Sequence, residues 1–165
     1  MLIPESISSL QTAQDQKLND ALIHHTKSIK EVQEDLGILN ETLSTLRRKS
    51  KNGSNKLDLS EAEETIRKAC EIFKKIQSNH PLLFNENDVL YPLEKGFKTV
   101  EIEEVEKMMD QIANLISQRQ NEIPEITQNL KLVTDLNEII TKIIHEMAKE
   151  YRRASRSMID NMIRG

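Results

Sequence analysis

The nearest approach to a catalytic constellation in the chain is His145-Glu146-Met147-Ala148-Lys149. A helical zinc protease sets two histidines one turn apart on one face, with the glutamate between them as general base. Here Lys149 stands where the second histidine would be, and one histidine with one glutamate does not hold a catalytic zinc. His24 and His25 are adjacent, so they point about 100° apart around a helix and do not chelate one ion from the same side. Cys70 is the lone cysteine; no intramolecular disulfide is possible, and its apolar helical surroundings suit a small core residue better than a nucleophile. The glycines at 37, 53, 96 and 165 stand singly, so no phosphate-cradling loop can be built from them. Arg152-Arg153-Ala154-Ser155 matches a basophilic kinase pattern of a length that recurs by chance. The expectation is no metal and no cofactor. A hydrolase using His145 and scattered carboxylates ranks last among the functional readings, because no titratable pair has a spacing that forces convergence.

The elements that position these residues follow from composition and period. The 165 residues are 37% hydrophobic, 3% aromatic and 30% charged, with four glycines, four prolines and no tryptophan. A core of Leu, Ile, Val, Met and Ala suits helix-on-helix packing, and the turn residues that a sandwich or barrel needs at short intervals are missing. The net charge of −4 provides no global positive field for nucleic acid. No basic stretch leads into an apolar run at the start, and no run approaches the roughly 18 apolar residues of a membrane span. A cytoplasmic protein, or one secreted without a cleavable signal, is therefore expected. The glycosylation sequons at Asn40 and Asn52 then read as accidental.

From Leu18 to Leu46 the spacing is 4,3 without interruption: Leu22, Ile29, Leu36 and Leu43 fill the a positions of a coiled coil, with Leu18, His25, Val32, Leu39 and Leu46 at d. Ile7 and Leu10 extend the pattern backwards, predicting one helix over 6–49, about 65 Å long at 1.5 Å per residue. A basic loop over 47–57 carries five positive charges and an Asn52-Gly53 turn signal. Ser60 with Glu63 forms a capping-box pattern ahead of Ala62, Ile66, Ala69, Phe73 and Ile76, which predicts a second, antiparallel helix over 60–79. The segment 81–97 is apolar without helical period. Its aromatics Phe84, Tyr91 and Phe97 either cap one end of a bundle or form a partner-binding hook.

From Val105 a 3,4 stripe runs through Arg119, past Pro124 and on to Met158, predicting a helical region over 100–163 that is kinked or broken at Pro124. Arg119 in an apolar slot marks a lapse in the contact or lays its stem along the core. A second stripe of Leu132, Leu136, Ile139 and Ile143 widens the apolar face, predicting burial against two or more neighbours. Asn137 sits on the stripe, either as a register-setting polar residue in the manner of buried coiled-coil asparagines or at the margin of the face. His25 is the other polar residue of a seam. The tail 149–165 has a net charge of +3 and joins Arg152 and Arg153 to Tyr151 and Met158. It reads as a helix end docked on the bundle, a ligand for a partner helix, or a weak binder of anionic membrane surfaces.

The sum is an all-α, elongated antiparallel bundle or coiled-coil hairpin: one helical domain, with two long helices and a shorter one inserted. The leading expectation is a non-enzymatic interaction protein that uses helical surfaces to bind protein partners, another copy of itself included. The layout resembles the helical-hairpin needle, tip and filament proteins of type III secretion systems. That likeness implies an exported or export-associated component, or its chaperone, as the alternative function. It is carried by the order of elements and assigns no residue a role.

Overall fold

The computed structural model describes residues 5–80 and 96–165. The chain is all-α. Helix α1 covers Glu5–Ser50, α2 covers Glu63–Asn79 and α3 covers Ile102–Arg164. Two-residue strands β1 (Lys56–Leu57) and β2 (Val100–Glu101) pair antiparallel, Lys56 opposite Glu101 and Leu57 opposite Val100. The chain divides into two compact units: Ile29–Pro124 is one, and Met1–Ser28 with Glu125–Gly165 is the other. Both α1 and α3 therefore contribute to each.

In the Ile29–Pro124 unit the 4,3 seam of α1 behaves as its spacing demands. Val32, Leu39, Leu43 and Leu46 are buried. Ile66, Ala69, Cys70, Ile72, Phe73 and Ile76 of α2 are buried too, as are Val105, Met108, Ile112, Leu115 and Ile116 of α3. The Thr42 hydroxyl is shared between the Ile38 and Thr65 carbonyls at 2.8 and 3.2 Å, which satisfies a fully buried polar group. Thr42 meets Thr65 while Asp35 meets Lys75, so α2 runs antiparallel to α1 as expected.

Two sequence expectations need correction here. Ser60 and Glu63 do not form a capping box: Ser60 opens a 3₁₀ turn over Ser60–Ala62, and α2 starts after Ala62 without a side-chain cap. The Ser60 hydroxyl and amide both donate to Asp58 Oδ1, at 2.5 and 2.9 Å. Asp58 competes for Ser60 more closely than the helix does, and these two bonds hold its carboxyl below the usual range. The basic loop is shorter than its charge run, because Arg47, Arg48 and Lys49 form the last turn of α1, where cations complement the helix dipole. Gly53 supplies the left-handed turn at φ 70°. At Pro124 α3 is not broken: the helix continues through the residue as one element, as the unbroken apolar phase implies. Pro124 lies on the exposed side.

Phe97 is a further correction. It is buried in the Ile29–Pro124 core, its carbonyl accepts the Leu59 amide at 2.8 Å, and the Arg67 guanidinium lies 5.1 Å from its ring centroid. A residue so enclosed serves as a cap and is not available to a partner. Phe84 and Tyr91 lie outside the described residues. Thr99 takes a left-handed backbone at φ 60°, an uncommon conformation for a β-branched residue, just before β2.

Cys70 is buried, and removal from water pushes its thiol pKa up. The folded chain keeps the thiol protonated where the unfolded chain ionises it near about 8.5. This contribution to stability is whole below that pH and falls as pH rises above it. A thiol reagent at pH 8 is expected to label the native protein slowly and the unfolded chain at once. Equal rates in the two states would contradict the burial of Cys70.

Candidate functional site

Two places on the molecule combine unusual chemistry with a defined position. The first is an ionic network in the Ile29–Pro124 unit. Arg119 is buried and its guanidinium donates to Asp35 Oδ2 of α1 at 2.6 Å and to Glu122 one turn along α3. Lys75 of α2 approaches Asp35 at 3.6 Å and Glu31 at 3.8 Å, and His80 Nε2 lies 3.8 Å from Glu122. Each of the three helices supplies at least one member. Arg119 was a candidate for snorkelling; instead its head is drawn inward, where two carboxylates answer it. The carboxylates of the network are answered by cations. The network ties the three helices to one another.

The second place is the face of α3 in the two-helix unit. There the core consists of Ile7, Ile144 and Ala148, with Ile140 packed against them. Leu132, Leu136, Ile143, Met147, Tyr151, Met158 and Met162 are each 45 to 81% exposed. The second stripe was expected to be buried against two or more neighbours. It is not, because this unit holds a single facing helix, and α1 can cover only the side of α3 that carries Ile140, Ile144 and Ala148. Ile139 of the same stripe is likewise exposed. An apolar groove of about 630 Å³ opens beside the core, formed by Ile7, Ile143, Met147 and Tyr151. Lys142, Glu146 and Glu150 complete its lining, whose surface is almost wholly apolar.

The other candidates fall around this face. Tyr151 lines the groove and Met158 extends the stripe. Arg152 and Arg153 are exposed, with Arg153 bound to Glu150 at 3.1 Å. Asn137 is half-buried, and its Oδ1 is enclosed without a hydrogen-bond partner among the described residues. His25 is half-buried on α1, with its ring centroid 5.6 Å from that of His24. His145 and Glu146 are exposed. Among the described residues no cluster of three metal-ligating side chains occurs, and no helix is long and apolar enough to cross a membrane.

Sequence reasoning found the residues of the second stripe but assigned them to the interior. Periodicity measures the width of an apolar face and not the number of helices available to cover it. No protein-family model matches the chain, and comparison with curated proteins and with solved structures returns no significant match.

Proposed function

We propose that this chain is a non-enzymatic interaction protein whose working surface is the apolar face of α3 in the two-helix unit. The observation that carries the reading is the run of seven large apolar side chains, Leu132 to Met162, that the described residues leave 45 to 81% exposed. Soluble proteins rarely expose a continuous apolar surface of this extent unless something docks there. An α-helix is the natural occupant, since side chains recurring every three or four positions on one helix fit between those of another. The groove at Ile143, Met147 and Tyr151 supplies a recess for an anchoring side chain, and Lys142, Glu146, Glu150 and Arg153 supply a polar rim.

Replacing Ile143 and Met147 together by glutamate tests the reading. In an extract of the protein's own cells, fluorescence-detected sedimentation of the labelled wild-type chain is expected to report a particle heavier than 19.0 kDa. The double variant is expected at 19.0 kDa with its helicity intact. A wild-type chain that sediments alone, or a variant that stays in the heavier particle, would overturn the proposal. The export-apparatus reading rests on the helix order alone, with no residue to support it, and the uncovered face therefore takes precedence.

A further inference from the structure

We infer that the occupant of this face is a second copy of the chain, its α3 lying antiparallel to the first and crossing it at Met147. The inference rests on the docking reading above and adds the partner and its direction. Its basis is the arrangement of the exposed apolar residues. Leu132 and Met162 lie fifteen positions either side of Met147, Leu136 and Met158 eleven, and Ile143 and Tyr151 four. Ile139, Ile159 and Ile163 are also exposed and stand outside this mirrored set. A two-fold interface is isologous: each contact occurs twice, so a patch that binds its own copy must be complementary to itself under reversal. A partner of different sequence imposes no such condition. Turned about Met147, the stripe brings Leu132 opposite Met162, Leu136 opposite Met158 and Ile143 opposite Tyr151, with every large side chain of the set meeting another.

The period agrees with a long contact. Leu136, Met147 and Met158 are eleven residues apart, as are Leu132 and Ile143, and Tyr151 and Met162. Eleven residues are three turns at 3.67 residues per turn, so the stripe moves about 20° around α3 every three turns, and two such helices stay in contact by winding gently right-handed. Met147 lies within the groove, and its opposite number from the second copy would enter the same recess, for which an unbranched thioether is well shaped.

Charge selects the direction. The stretch 129–146 carries Lys131, Asp135, Glu138, Lys142 and Glu146, a net of −1, and the stretch 148–165 has a net of +3. Parallel pairing would align the two positive stretches, whereas antiparallel pairing sets each beside the weakly negative stretch of the other copy. It also brings Lys142 of one copy within two residues of the level of Glu150 of the other, on the same flank. Arg152, Arg153 and Arg156 then have a function in orientation.

Single cysteines on the full-length chain test this, with the wild type as control because its own cysteine is buried. Met147→Cys alone is expected to shift from 19.0 kDa to twice that mass on mild oxidation or with a short bismaleimide. Met158→Cys alone is expected to stay single, and Leu136→Cys mixed with Met158→Cys to give a cross-linked pair. These sites are exposed, and far-UV circular dichroism verifies that the fold is kept. Self-linking of Met158→Cys would show parallel pairing and overturn the inference. So would the absence of any link together with a light-scattering mass of 19.0 kDa across a concentration series. A purified monomer that still enters a heavier particle in extract would remove the second copy and leave the docking face standing.

Discussion

Replacing Arg119 by methionine is expected to destabilise the protein by about 3 to 5 kcal/mol, more than a substitution at any exposed position. The cost does not come from the ion pair being strongly favourable. Taking a guanidinium and two carboxylates out of water is itself expensive, and a buried pair roughly breaks even against apolar residues of the same size. It comes from what the substitution leaves behind: Asp35 and Glu122, both largely buried, would keep their charges and lose their nearest cation. Lys75 and His80 are farther off, at 3.6 and 3.8 Å, and soften the loss towards the lower end of the range. In thermal unfolding this corresponds to a melting temperature lower by roughly 6 to 20 °C. Adding Asp35→Asn and Glu122→Gln to Arg119→Met is expected to restore part of it, since neutral side chains are less costly to bury. A single substitution without measurable effect would show that the three-helix packing does not enclose these groups.

Phe97→Ala is expected to cost a further large amount, about 3 to 5 kcal/mol, and to do so without weakening any interaction of the α3 face. The ring is enclosed by the core that α1, α2 and α3 build between Ile29 and Pro124, and its removal leaves a cavity that a backbone tied to Leu59 at 2.8 Å cannot collapse into. It also strips the Arg67 guanidinium of the ring it covers. Chemical denaturation measures the first effect and the sedimentation behaviour in extract measures the second. A Phe97→Ala protein of native stability that lost its partner would return the residue to the role of a binding hook.

The parts of this molecule that could be read from its residues are those in which one helix carries its own evidence. The 4,3 spacing from Leu18 to Leu46 defines α1, and the unbroken phase across Pro124 defines α3 as one element. What escaped depends on facts that no single helix contains. Arg119 stood out as a charge in an apolar slot, but naming Asp35 as its partner requires the register between α1 and α3, eighty-four residues apart. The Ser60 and Glu63 pattern was sound as a pattern, and Asp58 two residues earlier captured the serine by a shorter route. Phe97 sits next to a ribbon of two residues per strand, too short to show an alternation. The stripe from Leu132 to Ile143 was read as wide and hence as interior, although its width stays the same whether a third helix lies against it or none does.

The division of the chain into units has a consequence for its manufacture. Residues 29–124 are continuous, so their core can close while synthesis is still under way, given that domains generally fold as units in the order they leave the ribosome. The other unit joins residues 1–28 to residues 125–165, so its two pieces are separated by the whole central unit and the earlier has no mate until the later is made. The earlier piece must wait, exposed, until the central unit has been passed. Truncation before Ile140 would therefore spare the central core and strand the amino-terminal arm, with Ile7 deprived of Ile140, Ile144 and Ala148.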